Sequence, residues 1–277
     1  MTATANTYSA WVRTRYAPTP SGYLHLGNAV HFTLTAALAQ EASADIVLRI
    51  DDIDRARYRR EYLEDIFDML EWLEIPWMIG PRNTPQMREW SQESRLPLYR
   101  AALDQLVQDG NAYACTCSRS QWQGYRGDDC PALCRTRAGT AHGIAAAWRL
   151  HLPGYSDPIL WRRDGVPAYH LASVVDDDHL GVDFVVRGDD LRDSTIIQRA
   201  LSRLLVGSTF HQAQVMHHGL ITDAAGAKLS KSAGVLAAPM PRTNEMRTRI
   251  QQMAVELRSA LTTTSTPTTD RPRSLES

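Results

Sequence analysis

The sequence predicts an α/β fold in which a parallel sheet is divided by an insertion. Near the N-terminus, strand-like residues 11–18 and 45–50 flank a helix-like segment at residues 26–42. The same alternation returns after residue 168, with an apolar run at residues 181–188, a helical pattern at 195–205 and a strand-like segment at 214–218. Between the two halves lie a cysteine cluster and short strand-like segments at residues 146–152 and 158–165. Strands alternating with helices favour a parallel sheet, and the middle section is predicted to be an insertion.

The remaining elements follow from apolar spacing. Residues 62–73 carry an apolar stripe at helical intervals, formed by Leu63, Ile66, Phe67, Leu70 and Leu73. Further helices are predicted at residues 98–108 and 244–261, and the Ser-, Thr- and Pro-rich residues 262–277 are expected to be disordered. The predicted organisation is a first half of the α/β domain at 8–108, an inserted subdomain at 109–165, a second half at 166–240 and a C-terminal helix and tail at 241–277.

Composition limits the classes of function. A chain of 277 residues that is 43% hydrophobic can bury a substantial core, and its formal charge of -1 excludes a general polycation. Nucleic acid would have to bind a local patch, for which the arginine-rich residues 54–62 are a candidate, although a solvated helix start explains them equally well. No apolar run approaches the roughly 20 residues that span a bilayer, and the first ten residues lack a signal-peptide pattern. We therefore expect a cytoplasmic location.

The four cysteines predict a metal site. Cys115, Cys117, Cys130 and Cys134 are the only cysteines of the chain, and all fall within residues 115–134. In a chain without a secretory signal, such a cluster favours metal binding over disulfides. Four thiolates form a closed tetrahedral site for Zn²⁺, which leaves no coordination position open for chemistry. We expect a structural zinc ion that orders the insertion.

The turn before the first helix has features of a phosphate-binding site. Residues 17–22 form an Ala-Pro-Thr-Pro-Ser-Gly turn, and His25 and Gly27 follow at the start of the helix. A helix N-terminus offers unpaired N–H groups and a positive dipole end to phosphate oxygens. A glycine allows a flat ring to approach the backbone closely. Because proline and glycine also mark ordinary turns, the feature is informative mainly in combination with others.

A lysine-containing segment is the second such feature. Lys228 and Lys231 lie in residues 227–234, which are bounded by alanine and glycine. Two lysines in a loop can neutralise charge on a triphosphate while it is being split. Taken alone, the segment is also consistent with a solvent-exposed loop, so the pairing with the turn at His25 gives it weight.

Together these segments resemble the class I aminoacyl-tRNA synthetases. His-Leu-Gly-Asn at residues 25–28 and Lys-Leu-Ser-Lys-Ser at 228–232 are similar to the signature pair of that class. Four further segments resemble the glutamyl branch of this class and occur in the order found in that family: residues 15–27, 49–54, 169–177 and 185–188. The resemblance extends over residues 12–234 and implies a Rossmann-like parallel sheet with an inserted zinc-binding subdomain. It also implies activation of glutamate by ATP, with Mg²⁺, to glutamyl-adenylate.

Within this branch the chain is similar to its short members. Only about forty residues follow the lysine motif, so we expect no large anticodon-binding region. Residues 161–169 and 186–191 resemble the members that attach glutamate to queuosine in the anticodon of tRNA(Asp), and the zinc ligands match, with Cys130 where tyrosine is often found. The resemblance implies ATP, L-glutamate and queuosine-containing tRNA(Asp) as partners, and we expect a monomer. Two alternatives stay open: an orphan ligase that serves a carrier protein, metabolite or other RNA, and an idle paralogue that binds RNA or a protein.

The resemblance assigns roles to individual residues. It implies that His25, Lys228 and Lys231 are catalytic. The implied ATP site comprises Pro18, His25, Gly27, Asn28, Lys228, Leu229, Ser230 and Lys231. The implied glutamate site comprises Arg15, Thr19, Asp51, Tyr169 and Arg187. Arginine suits carboxylates through its two-pronged donor geometry, and a carboxylate suits the ammonium group. Asp51 stands where the family usually has Glu, and Ser173 where it often has Asn, so both positions leave the amino-acid preference to be tested.

Overall fold

The computed structural model describes residues 11–117, 146–153, 155, 157–221 and 238–263. Its strands are β1 (Arg13–Tyr16), β2 (Asp45–Leu48), β3 (Ala112–Cys115), β4 (Ala147–Leu150), β5 (Ile159–Trp161), β6 (Phe184–Gly188) and β7 (Gln214–His218). Its α-helices are α1 (Leu26–Ala42), α2 (Arg60–Trp72), α3 (Met87–Trp90), α4 (Leu96–Gln108), α5 (Tyr169–His179), α6 (Arg192–Leu204) and α7 (Asn244–Thr263). The helix predicted at residues 26–42 has the predicted bounds, and the other predicted helices are found with small shifts at their ends.

Two parallel strand pairs form the core of the fold. β1 pairs with β2, with Arg13 opposite Asp45, and β6 pairs with β7, with Phe184 opposite Gln214. The pairs meet between β1 and β6, where the Asp183 amide donates to the Arg13 carbonyl oxygen at 3.1 Å. The Asp183 carboxylate in turn accepts from the Arg13 amide at 2.8 Å. The two pairs form separate two-stranded sheets that lie side by side. Residues at or just after the carboxyl ends of their strands line one cavity.

The section between the two halves forms a different kind of sheet. β3, β4 and β5 are antiparallel, with Ala112 opposite Leu150 and Trp148 opposite Trp161. The two short strands predicted in this section correspond to β4 and β5. Residues 118–145, which include Cys130 and Cys134, lie outside the described part of the chain.

Helix α1 is the centre of the main apolar core. Leu34 and Leu38 of α1 are buried in one cluster with Ile66 of α2 and with Ile250 and Ala254 of α7. Each fully buried aliphatic side chain of this kind contributes roughly 1.5–3 kcal/mol. Packing of α7 against α1 therefore joins the C-terminal helix to the element whose N-terminus carries His25.

A glycine is required at position 80, beside the carboxyl end of β2. Gly80 has φ of +118°, and a Cβ at this position would lie 2.3 Å from the Leu48 carbonyl oxygen. The neighbouring Ile79 extends the sheet beside Val47 of β2. A residue with a side chain would therefore clash at the end of β2, next to the residues that line the functional site described below.

Within the described ranges, no helix is both long and apolar enough to cross a bilayer.

Candidate functional site

A cavity of about 860 Å³ opens at the carboxyl edge of the parallel strands. Its walls include the segments that follow β1, β2, β6 and β7, the N-terminal half of α1 and the start of α5. In doubly wound α/β folds, ligands bind at this edge, where the strand order reverses. The predicted site residues that line it are Arg15, Pro18, Thr19, His25, Gly27, Asn28, Asp51, Tyr169 and Arg187.

The structure thus brings every described member of the predicted site to one cavity. Lys228, Leu229, Ser230 and Lys231 lie outside the described residues. The last residues before that gap, Leu220 and Ile221, line the cavity. Proximity does not test the assigned roles, which stay predictions.

Backbone and side-chain bonds fix the turn that leads into α1. The Asp51 amide donates to the Pro18 carbonyl oxygen at 2.9 Å, which ties the turn to the end of β2. The Leu24 amide donates to Asp65 Oδ2 at 2.8 Å, and Arg242 pairs with the other oxygen of the same carboxylate at 2.5 Å. These bonds hold the chain on both sides of the turn, immediately before His25.

Asn28 has a structural bond in addition to its predicted contact with ATP. Its side-chain oxygen accepts from the backbone amide of His25 at 3.1 Å, as in one half of a capping box. The oxygen is therefore engaged at the start of α1. A contact with ATP would use the amide NH₂ group, which can only donate.

Arg187 is a buried cation with unused donors. Its side chain donates from Nη1 to Gln198 Oε1 at 2.6 Å and to Thr195 Oγ1 at 3.1 Å. Within the described ranges, Nε and Nη2 have no hydrogen-bond partner, although both are buried. Burial lowers the pKa of Arg187 to about 10, so the group stays protonated at neutral pH. A buried cation with two free donors suits an anionic ligand.

Arg15 and Asp51 belong to a buried row of alternating charges that also contains Asp177 and Arg49; we call these four residues the buried charge chain. Arg15 Nε lies 3.4 Å from Asp177 Oδ1. Arg49 donates from Nη1 to the same oxygen at 2.6 Å. Arg49 also donates from Nε and Nη2 to the two oxygens of Asp51, at 2.7 and 3.1 Å. Two arginines and two aspartates make this chain neutral.

The pKa shifts agree with this pairing. Burial acts to lower the pKa of Arg49, but the carboxylates of Asp177 and Asp51 outweigh burial and hold it well above its usual value. Burial raises the pKa of Asp51, and the guanidinium of Arg49 opposes that rise. Asp51 therefore depends on Arg49 for its charge.

Tyr169 and Ser173, both on α5, occupy different depths of the site. Tyr169 is the first residue of α5 and is 43% exposed at the cavity wall. Ser173, one turn further along, is buried, and its hydroxyl oxygen accepts from Arg49 Nη2 at 3.3 Å. The serine that departs from the family pattern thus contacts the buried charge chain.

Two histidines that were not predicted also line the cavity. His31 Nδ1 lies 3.1 Å from His218 Nε2, and His218 Nδ1 lies 2.8 Å from the Gly219 carbonyl oxygen. Because a carbonyl can only accept, His218 Nδ1 carries the proton, and a neutral His218 then accepts from His31 Nδ1. Burial lowers the pKa of both histidines, which favours this neutral pair. The lone pair of His31 Nε2 is then left as an acceptor.

The predicted zinc site is described only in part. Cys115 ends β3 and is buried, and Cys117 is partly buried two residues later. Cys130 and Cys134 lie in the undescribed range, and the described residues contain no group of three or more side chains suited to a metal. Two thiols so close in the chain have the chemistry of Zn²⁺ ligands. The zinc site stays a prediction.

One family model and several known proteins match the sequence of this chain. The family model for tRNA synthetases class I (E and Q), catalytic domain, matches residues 11–143 and 144–240. The chain is 36% identical over 263 residues to the glutamyl-Q tRNA(Asp) synthetase of Rhodobacter capsulatus, covering 79% of this chain and 90% of that protein. It is 35% identical over 273 residues to the protein of the same name from Pseudomonas aeruginosa, covering 89% and 88%.

A solved structure supports the fold. The glutamate-tRNA synthetase from Elizabethkingia anophelis superposes with a TM-score of 0.68 at 22% identity, covering 81% of this chain and 53% of that one. The chain therefore spans about half the length of that solved synthetase. The glutamyl-Q relatives, by contrast, are matched along most of their length. The chain belongs to the class I tRNA synthetases (E and Q) and, within them, to the group of glutamyl-Q tRNA(Asp) synthetases.

Proposed function

We propose that the protein is a ligase that activates glutamate with ATP and transfers it to queuosine in the anticodon of tRNA(Asp). The observation that carries the amino-acid assignment is the pair of unused donors on Arg187. Glutamate has two carboxylates and one ammonium, so it brings one net negative charge. Since the buried charge chain is neutral, Arg187 supplies the one unbalanced positive charge among these residues. A neutral glutamine would leave this cation without a counter-charge, at a cost of roughly 1–3 kcal/mol.

In this proposal the cavity holds both substrates of an activation reaction. Arg15, Thr19, Asp51, Tyr169 and Arg187 would bind glutamate, while Pro18, His25, Gly27 and Asn28 at the mouth of α1 would face ATP. The α-carboxylate would attack the α-phosphorus and expel pyrophosphate, so no protein nucleophile is needed. Positioning and charge neutralisation would supply the rate increase. Lys228 and Lys231, with Leu229 and Ser230 between them, would neutralise the phosphates, and Mg²⁺ would accompany ATP as part of the substrate.

The acceptor is tested by offering ATP, labelled glutamate and tRNA(Asp) with or without queuosine. We expect label on the queuosine-containing tRNA alone, because the relatives matched along most of their length carry that specificity in their names. Label that appears regardless of queuosine contradicts the proposed acceptor. Exchange with glutamate but no labelled tRNA would favour an orphan ligase, and no exchange at all would favour an idle paralogue.

The zinc prediction has its own measurement. If Cys115, Cys117, Cys130 and Cys134 form a closed thiolate site, the purified protein should contain about one zinc ion per chain. Cys134→Ser should remove most of that zinc, because a structural site loses affinity steeply when one thiolate is replaced. Elemental analysis after gel filtration measures the content. Equal zinc in the variant and the wild type contradicts the assignment of Cys134, and zinc-free wild-type protein contradicts the site.

A further inference from the structure

We propose that Arg49 is the positioning residue of the amino-acid pocket, and that with Asp177 it fixes Asp51 and Arg15 as one neutral unit. This inference rests on the proposed function, because it takes Asp51 and Arg15 to contact the amino acid. It adds a role for two residues that the sequence comparison left without one. It also separates two tasks: the buried charge chain orients the ligand, and Arg187 selects its charge.

Arg49 uses all three of its side-chain nitrogens on the pocket. Nε and Nη2 form a two-pronged contact with Asp51, at 2.7 and 3.1 Å, and Nη1 donates to Asp177 Oδ1 at 2.6 Å. The backbone carbonyl of Ser173 lies 3.3 Å from Nη1. Arg49 is only 3% exposed, so water does not compete for these donors. A rigid planar fork fixes both the position and the rotation of the Asp51 carboxylate, which a lysine ammonium cannot do.

Asp177 transmits this order to Arg15. Its Oδ1 atom is shared between Arg49 Nη1 at 2.6 Å and Arg15 Nε at 3.4 Å, and its side chain is fully buried. The neighbouring carboxylate of Asp176 accepts its hydrogen bonds from Arg95, Tyr99 and Gln92, and it lies 3.9 Å from Arg49 Nε. The counter-charge that faces Arg15 is therefore one that Arg49 holds in place.

The consequence for catalysis concerns glutamate more than ATP. A displacement of about 1 Å in a positioning group can cost on the order of a hundredfold in rate. Asp51 and Arg15 are predicted to hold the ammonium and a carboxylate, so loss of the fork should weaken glutamate binding first. His25 and the turn before α1 have no hydrogen bond to Arg49 among those of the described residues, so the KM for ATP should change little.

The first experiment compares Arg49→Lys with Arg95→Lys. Arg95 makes an equivalent buried fork to Asp176, at 2.7 and 3.1 Å, but it does not line the cavity. Both variants keep the charge and lose one fork, so both should unfold at lower temperature. In glutamate-dependent ATP–pyrophosphate exchange, we expect Arg49→Lys to raise the KM for glutamate about tenfold or more, and Arg95→Lys to leave it within about twofold. Equal KM values in the two variants would overturn the positioning role.

The second experiment uses a pH profile, which a purely structural role would not move. Among the described residues, the charged groups that affect the pKa of Asp51 are Arg49, Asp176 and Asp177. Arg49→Gln removes the cation and leaves the two carboxylates, so the pKa of Asp51 should rise further. Because Asp51 must be ionised to bind the ammonium, the acid limb of kcat/KM for glutamate should move to higher pH. Arg49→Lys keeps the charge and should move it less. An acid limb that is the same in both variants and the wild type contradicts the proposal.

Further measurements distinguish a failure of the positioning role of Arg49 from misfolding and from a failure of the proposed function. If Arg49→Gln does not fold, Asp177→Asn tests the same link with an uncharged side chain of nearly equal shape, and we expect a raised KM for glutamate there too. Wild-type protein that shows no exchange with glutamate contradicts the proposed function itself. Normal exchange in the wild type, with Arg49 variants that behave like Arg95→Lys, rejects only the positioning role.

Discussion

Arg187→Gln should lower kcat/KM for glutamate in ATP–pyrophosphate exchange by roughly 30-fold to several thousandfold. Truncating one partner of a buried charge pair costs about 2–5 kcal/mol, and each 1.4 kcal/mol is a factor of ten. In the free protein, Nε and Nη2 of Arg187 have no partner among the described residues, so their bonds are expected to form with the ligand. The loss should therefore fall on glutamate, while the KM for ATP should stay within about twofold.

The same substitution should leave the free energy of unfolding almost unchanged or slightly raised. Among the described residues, the hydrogen-bond partners of the Arg187 side chain are the uncharged side chains of Thr195 and Gln198, so its removal strands no anion. Burial already disfavours the charged form, as its lowered pKa shows. Thermal unfolding of the variant and the wild type measures this directly. A large fall in stability would mean that lost activity reflects damage to the fold.

Arg192→Gln is the matched control. Arg192 begins α6, is 61% exposed in its side chain and pairs with Asp189 at 2.6 Å. Surface pairs of this kind contribute little, so kcat/KM for glutamate should stay within about twofold of the wild type. If Arg187→Gln also stays in that range, Arg187 does not select the ligand's charge. If the proposal holds, Arg187→Gln should also reduce the ratio of kcat/KM for glutamate to kcat/KM for glutamine, because the cation that disfavours the neutral amide is gone.

The sequence predicts the order of the helices and strands because each of these elements depends mainly on residues that are close together in the chain. Helix α1 is predicted with its observed bounds, Leu26–Ala42, since a turn precedes it and an alanine-rich apolar segment fills it. The strand-like segments that contain β1, β2 and β6 are recognised by their β-branched and apolar residues. The site residues, by contrast, are predicted through the resemblance to the synthetase family. Parallel pairing explains only why the described ones lie around one cavity.

The buried charge chain could not be predicted in the same way. Arg49 follows an apolar strand and Asp177 lies in a helix, and in isolation each is consistent with a solvated charge at the end of an element. Their contact joins residues 128 positions apart. The only local signal is that Arg49 interrupts an otherwise apolar segment at residues 46–50, where an unpaired charge would be costly. His31 gives even less signal, because a histidine within a helix is more often packed than functional.

Asp176→Asn should lower the free energy of unfolding by about 3–5 kcal/mol, since removing one partner of a buried ion pair leaves the other uncompensated. Arg95 donates to both oxygens of Asp176, at 2.7 and 3.1 Å. Tyr99 and Gln92 donate to it as well, at 2.6 and 2.9 Å. An asparagine has one acceptor oxygen and an NH₂ group, so at least one of these donors would face another donor. Asp104→Asn, on the exposed side of α4, is the control, with an expected change within about 0.5 kcal/mol.

The loss should also depend on pH in a predictable direction. Burial alone would raise the pKa of Asp176, but the hydrogen bonds from Arg95 and the charge of Arg49 hold it below its usual value. A carboxyl group whose pKa is lower in the folded state stabilises the fold above its unfolded pKa of about 3.9, and loses that contribution as pH falls through the folded pKa. The gap in stability between the wild type and Asp176→Asn should therefore be full at pH 6–7 and narrow below about pH 4. Urea unfolding at several pH values measures the gap. A difference in stability that is constant across this pH range would show that the asparagine acts through its shape. A difference that narrows assigns the stabilisation to the ionised carboxylate of Asp176, which joins α5 to the segment that carries Arg95.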